Sequence, residues 1–465
     1  MGAWALWARK ALGIALPATA ARGFSGDSVS SSALRGSAAA FAIKCGALLL
    51  GFLSSVVLTR ALGVAGFGTY SLVLGWILLL AVPIQSGLAG VVVRELAGYR
   101  ATGSFALAKG LMVFANATAV AVAGIGAALL YAYWSDTSGV ASAWTSGLVY
   151  WALALLPFYC LSALRSAALR GLGRIAEGLF PDEVIRPLAQ LSMLLVATWM
   201  FGPYLRPEHA LQIHGVACIA GFAAGAVMLV RALPPAMRAA RARYAVQDWL
   251  RPAMTFALVA GFGTIMQSMV VVLLGSRSGS GEVGLFKAAQ QLAALAGILV
   301  VAVNAACAPH IAALHRSGNR DELARLLRNS ARLMLAGTAP LCIAMIAMGA
   351  PILGIVFGED YVRAYPALIV LATGQLLLSM MGLVGLLLNM SGHEKDTLAC
   401  CVVAIVATLA AVLAAAPHFG SLGAALAVGC GQLVLGALML WRVRVRIGLS
   451  ASAFARAPLT QREPP

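Results

Sequence analysis

The sequence predicts an all-α polytopic membrane protein with about 12 transmembrane helices in two pseudo-symmetric six-helix bundles. Three observations point there. Of 465 residues, 61% are apolar and only 11% are charged, with a mean hydropathy of +0.90. An average soluble domain carries roughly 25% charged residues, so the composition excludes a soluble enzyme, a nucleic-acid binder and a disordered chain. The apolar residues also run continuously rather than in alternation, which excludes a barrel, because lipid admits only helices or closed barrels. Finally, the chain weakly repeats itself about its middle.

A spanning helix needs about 20 mostly apolar residues. In chain order the runs are 36–58, 68–93, 110–131, 143–164, 187–204, 211–230, 252–275, 288–309, 333–357, 367–390, 397–416 and 422–441. The fifth is short, begins at Pro187, and is the weakest. In the second, Pro83 removes a backbone bond while Gly87 and Gly90 allow close approach, which predicts a bent or loosened helix, either moving or statically kinked. All eight cysteines (45, 160, 218, 307, 342, 400, 401 and 430) fall in predicted spans. They read as small packing residues, with neither metal spacing nor a disulfide framework, and no metal or cofactor is expected. Near the start, Arg9 and Lys10 precede ALGIALPATA, which is compatible with a cleaved signal peptide. The shortness of that run, with Trp4 and Trp7 beside the cations, suits an interfacial helix better.

The net charge is +17, from 33 Lys+Arg against 16 Asp+Glu. With the amino terminus in the cytoplasm, 27 basic residues and 11 acidic ones lie inside, and five of each lie outside. The five outside cations are Arg60, Arg206, Arg277, Lys287 and Arg363, and Lys44 alone falls within a span. The asymmetry reads as positive-inside orientation with both termini cytoplasmic, and calls for no nucleic-acid partner.

The repeat aligns AGFGTY, ending at Tyr70, with GEVGLF, ending at Phe286, at an offset of 216, and Gly173 with Gly392 near 219. It divides the chain into a cytoplasmic segment (1–35), a six-helix bundle (36–230), a basic linker (231–251), a second bundle (252–441) and a cytoplasmic tail (442–465). Halves of like orientation are related by an axis along the membrane normal, so a substrate path would run between them.

No predicted span holds an Asp or Glu, and the longest predicted exterior loop is the stretch 276–287. Membrane glycosyltransferases and polymerases need acidic, Arg or metal-binding residues on sizeable loops, so an enzyme is disfavoured. Lys44 lies eight residues into the first span, where an unpaired charge costs about 3 kcal/mol. At 100° per residue it shares a face with Leu48, Gly51 and Ser55, as a cavity wall would. Snorkelling of its stem to the interface is the equal alternative. At the 216 offset Gln267 matches Gly51, which would turn an amide toward Lys44 across the halves. Neutral amides, among them Gln85, Gln190, Gln267, Gln290 and Gln291, suit sugar hydroxyls but serve equally as interhelical hydrogen bonds. Lys287 and Gln291 stand four apart on one face and are candidates to hold a phosphate and a sugar, against a plain interfacial anchor. Arg60 is open in the same way.

The stretch LTRALGVAGFGTYSLVLG and the following GLAGVVVRELAGYR resemble the amino-terminal signature of the polysaccharide biosynthesis flippases, the Wzx-type O-antigen and capsule transporters of the multidrug/oligosaccharidyl-lipid/polysaccharide exporter superfamily. GEVGLFKAAQQLAALAG and LLLNMSGHEKDTLA are similar to that family as well, so the likeness spans most of residues 31–450. It implies a bacterial inner-membrane flippase that moves a polyprenyl-diphosphate-linked oligosaccharide outward by alternating access. It also implies that Lys44, with Arg60 and Lys287, meets the diphosphate. Membrane lipids, a glycan polymerase and glycosyltransferases would be its partners. Family members often carry an acid in the seventh span, where this chain has Gln267, which puts ion coupling in question. The rival expectations are a multidrug or small-cation exporter of the same superfamily and a non-transporting scaffold of glycan assembly.

Overall fold

The computed structural model describes residues 27–136, 146–202 and 205–448, and all of the regular structure in them is helical. The amino-terminal interfacial helix and the part of the predicted tail beyond Gly448 lie outside the described residues. Helix α1 (Asp27–Val82) holds the first two spans. It breaks at Gly63, whose φ of 66° and ψ of −178° suit glycine, and folds back there. Reversal follows from the contacts: Lys44 on the first arm reaches Glu183, while the continuation of the second arm brings Val92 and Leu96 against Gly171, near the same end.

A π-helical turn at Pro83–Leu88 leads into α2 (Ala89–Thr102). Then come α3 (Phe105–Asp136), α4 (Ser146–Gly171), and a fifth pass built from α5 (Ile175–Phe180), a π-turn at Pro181–Ile185 and α6 (Arg186–Phe201). Helix α7 (Pro207–Ala232) closes the first half, and the short α8 (Pro235–Ala239) lies in the basic segment after it. The second half runs through α9 (Val246–Ser278), α10 (Ser280–Ala296) and α11 (Ile298–Arg316). It continues through α12 (Arg320–Phe357), a 3-10 turn at Glu359–Ala364, α13 (Tyr365–Met381) and α14 (Val384–Met390), and ends in α15 (Glu394–Ile447). Asn319 caps α12 by accepting from the Glu322 amide at 3.2 Å. Helix α15 breaks at Gly420 and folds back, so that Arg442 and Arg446 on its second arm bracket Asp396 on its first, at 3.1 Å each.

Nine helical stretches among the described residues are long and apolar enough to cross a bilayer. Two of them fold back, at Gly63 and Gly420, and the charged fifth pass adds one more, giving twelve passes and a multi-pass membrane protein. Three expectations are corrected. The stretch 276–287 is helical apart from the single break at Gly279, so Lys287 sits two turns inside α10 rather than in a loop. The fifth pass begins at Ile175, well before Pro187, and takes Asp182 and Glu183 into the helix bundle. Lys44 is consequently not the only cation within a helical pass, nor is it unpaired.

The ends of the molecule differ. One carries the turns at Gly63, Gly202, Gly279 and Gly420 together with Arg60, Arg206, Arg277, Lys287 and Arg363; here it is termed the turn end. The other, the basic end, carries most of the remaining cations among the described residues. It is tied by Arg100 donating to the Leu172 carbonyl, Lys109 donating to the Arg238 carbonyl at 2.7 Å, and the Trp249 indole donating to the Tyr99 hydroxyl at 3.0 Å.

The repeat is written in glycines of positive φ. Gly63 and Gly279 (66° and 86°) are 216 apart, Gly103 and Gly318 (70° each) 215, Gly173 and Gly392 (84° and 80°) 219, and Gly202 and Gly420 (53° each) 218. The two falls in offset have a structural cause. Between Gly63 and Gly103 the first half has one residue more than the second has between Gly279 and Gly318, and the π-turn Pro83–Leu88 lies there. Between Gly173 and Gly202 it again has one more, and the π-turn Pro181–Ile185 lies there. A π-turn is how an α-helix absorbs one inserted residue.

Candidate functional site

The halves meet first at the turn end. A Cβ on Gly68 would overlap the Ser280 carbonyl, and one on Gly284 would overlap the Val64 carbonyl. At an offset of 216 these are the same contact made twice, so the pseudo-twofold relation passes between α1 and α10 at this point. Nearby, Arg60 donates to the Val356 carbonyl at 3.0 Å and to the Ile355 carbonyl, and Phe52 packs edge-on against Phe357. Along the second arm of α1 and its π-turn, Gly75 lies on Val271, Gly261 on Val82 and Gly87 on the Ala253 carbonyl, so this seam with α9 is closed along its length. The first arm of α1 behaves otherwise: from Ser54 to Thr59 it is largely buried, whereas Lys44, Leu48, Leu49 and Leu53 are exposed. The halves are thus joined at the turn end and along the α1–α9 seam, while the exposed first arm of α1 runs toward the basic end.

On α10, Lys287, Gln290, Gln291 and Ala294 form the least buried stripe of a helix otherwise packed on both sides. The four lie within about 100° of arc. Lys287 donates to Gln290 Oε1 at 2.9 Å and makes no ion pair among the described residues. The expected alliance of Lys287 with Gln291 is thus one of shared face, with Gln290 as the bonded partner. Gly284, about 60° around the helix from Lys287, faces the first half, so the stripe opens beside the seam between the halves. On α9 the exposed Ala260, Gly263 and Gln267 form a similar stripe. Gln267, Gln291 and the half-buried Gln85 in the first π-turn make no hydrogen bond among the described residues.

Lys44 turns to its own half. Its Nζ stands 3.9 Å from Glu183 Oε1, with 54% of the lysine and 33% of the glutamate side chain exposed. Gln267 therefore does not serve as its partner. The neighbouring Asp182 takes Arg165 at 3.4 Å, and Arg165 also donates to the Phe222 carbonyl at 2.6 Å and lies over the Phe222 ring. Gly225 makes room for this guanidinium, since a Cβ there would overlap it. Deeper in the half, His214 is bonded on both ring nitrogens: Tyr159 Oη lies 2.7 Å from Nε2, and Tyr70 Oη and Gln190 Oε1 lie 3.1 and 3.0 Å from Nδ1. Gln190 donates on to Tyr70 at 3.0 Å, and Arg186 stands over the Tyr159 ring.

Sequence reasoning missed this interior. His214, Tyr70 and Tyr159 come from three helices with no spacing in common, and Asp182 and Glu183 precede the apolar run that marks the fifth span. The fall in offset from 219 to 218 between the Gly173 and Gly202 pairs was a usable signal of the inserted residue.

The model of the family described as "Polysaccharide biosynthesis protein" matches residues 33–315. No curated protein matches the chain. Among solved structures, the chain is similar to an inward-facing multidrug resistance MATE family transporter of the MOP superfamily, with a TM-score of 0.69 at 14% identity over 86% of this chain and 94% of that one. It is similar to the lipid II flippase MurJ in an inward closed conformation, with a TM-score of 0.67 at 12% identity over 87% of each chain. It also resembles a MOP superfamily transporter from Pyrococcus furiosus, with a TM-score of 0.61 at 13% identity over 90% and 95%. At these identities the likeness is one of fold.

Proposed function

The chain belongs to the polysaccharide biosynthesis protein family, and from that premise we propose that it is a flippase carrying a polyprenyl-diphosphate-linked oligosaccharide, an O-antigen, capsule or exopolysaccharide unit, from the cytoplasmic to the outer face of the bacterial inner membrane. The basic end is cytoplasmic in this reading, as the positive-inside bias requires. Residues 36–230 and 252–441 are the moving bundles, joined by the basic linker 231–251. The seal at Gly68 and Gly284 is then the outer closure, and the exposed first arm of α1 flanks the cytoplasmic entrance.

The observation that carries the reading is Lys287. A lysine within a spanning helix, facing amides and held by no carboxylate among the described residues, is suited to an anionic head group. Lys44 meets the diphosphate nearer the entrance, while Gln85, Gln267 and Gln291 offer free amides to the glycan. Arg60 stands at the outer mouth with donors committed to the end of α12. The polyprenyl tail stays in lipid, and transport requires no bond-making step.

Reconstitution into vesicles with a labelled polyprenyl-diphosphate oligosaccharide tests this. Movement to the opposite leaflet is expected, and Lys287→Ala should slow it about tenfold, the scale of one charge-assisted hydrogen bond. Lys287→Arg should retain more activity than Lys287→Gln. Drug efflux without glycan movement would favour the exporter reading instead.

A further inference from the structure

The two halves supply an internal control for the charges of the first. The fifth and sixth passes turn at Gly202 and the two arms of α15 turn at Gly420, and the two glycines share one conformation. At the offset between those glycines Arg186, Gln190 and His214 meet Ala404, Thr408 and Gln432, and the π-turn with its two acids lies opposite Cys400 and Cys401. The second half builds the same helix pair without a charge at those positions. A helix pair of this form therefore does not by itself require acids, and the presence of each inside a membrane protein calls for its own reason.

Their environments differ. Asp182 is tied to Arg165, whose side chain is 4% exposed, and that pair joins the π-turn to α4 and α7. Glu183 is held less tightly: 3.9 Å to Lys44 is the far limit of an ion pair, both side chains are partly solvated, and the other cations that feel its charge among the described residues, Arg170 and Arg186, lie beyond ion-pair distance. Partly exposed pairs of this kind contribute little and break readily.

We propose that Glu183 is a displaceable counterion, neutralising Lys44 before substrate arrives and yielding it to the phosphate of the anionic lipid being carried. This rests on the reading that Lys44 meets the diphosphate. A bare lysine at this depth is unfavourable, and a buried bidentate pair would not release its partner. A long, solvated pair satisfies both demands. A phosphate oxygen forms a shorter, charge-assisted bond to Nζ than a carboxylate at 3.9 Å, so the exchange runs toward substrate on entry. On release the carboxylate returns to the lysine and compensates it for the departing phosphate. Lys287, paired with a neutral amide, has no such rival.

The test uses the full-length protein in lipid discs of zwitterionic lipid and a fluorescent polyprenyl diphosphate. Glu183→Gln should bind the probe about threefold tighter, the scale of a partly exposed ion pair, yet turn over more slowly in vesicles because release is impaired. Lys44→Gln should bind more weakly, and the double variant should bind no better than Lys44→Gln alone. Glu183→Asp, which keeps the charge one methylene further back, should fall between wild type and Glu183→Gln and serves if the latter accumulates poorly. Unchanged or weaker binding by Glu183→Gln, or equal tightening in the Lys44→Gln background, overturns the proposal. Wild-type affinity in Lys44→Gln overturns the underlying reading of Lys44 as well. A weakened Lys44→Gln beside an unchanged Glu183→Gln removes the counterion role alone.

Discussion

The first half of the molecule carries a polar network in its interior, and the second presents a lysine and amides on the face toward the seam. Inside the first are the His214 cluster and the Arg165 and Asp182 pair. At the core of the second, around Val303, Cys307, Leu327 and Leu387, the polar contacts are single ones between helices, such as Cys307 Sγ to Ser330 Oγ at 3.1 Å, rather than a network. On the seam the order reverses, because Lys287 and Gln290 correspond at the 216 offset to Ser71 and Leu74. The turn glycines and the close approaches they permit recur in both halves, whereas the charges do not. Positions that agree between halves build the scaffold. Those that differ are free of that duty, and they are where substrate chemistry is to be sought.

The largest expected effect lies where the halves agree. Gly68→Ala and Gly284→Ala each drive a methyl into a backbone carbonyl that has no side-chain freedom to yield. Both should cost about 3 kcal/mol of stability in the sealed state, with similar losses of glycan movement. A large loss from one and none from the other in thermal unfolding and vesicle assays would break the pseudo-twofold relation at this contact.

Next is a contrast across the halves. His214→Phe leaves the buried hydroxyls of Tyr70 and Tyr159 short of a partner and should cost about 2 kcal/mol. Gln432→Leu, at the equivalent position, should cost under about 1 kcal/mol. Equal shifts in unfolding temperature would show that the polar interior of the first half is no more integrated than that of the second.

Gly225→Ala sharpens the comparison on a smaller scale. The added methyl displaces the Arg165 guanidinium, a side chain that can shift, so about 1 kcal/mol is expected, along with looser attachment of the π-turn. Hydrogen exchange of residues 181–185 should rise, and unchanged exchange would detach Arg165 from that role. The smallest effect is expected at Arg60→Gln, about 0.5 kcal/mol through the end of α12. A severe loss of glycan movement at normal stability would instead give Arg60 direct contact with substrate.

Number of passes, charge asymmetry and the repeat were all legible in the sequence. Each is a sum over a window or a comparison of two windows, and bilayer thickness converts apolar run length directly into crossings. The seam stripe was half legible, since Lys287 and Gln291 share a face by helical arithmetic alone. Illegible were the helical state of 276–287, where Gly279 interrupts one residue instead of opening a loop, and the inclusion of Asp182 and Glu183 in the fifth pass. Lys44 shows the limit most clearly. Its depth in the first pass followed from counting, but its partner, Glu183, lies far along the chain on another helix. Which residue faces it depends on the rotation and height of that helix, and the residue inserted at the π-turn shifts both. Run length and periodicity are properties of the chain, whereas an ion pair between helices is a property of their relative register, which only packing of the whole bundle decides.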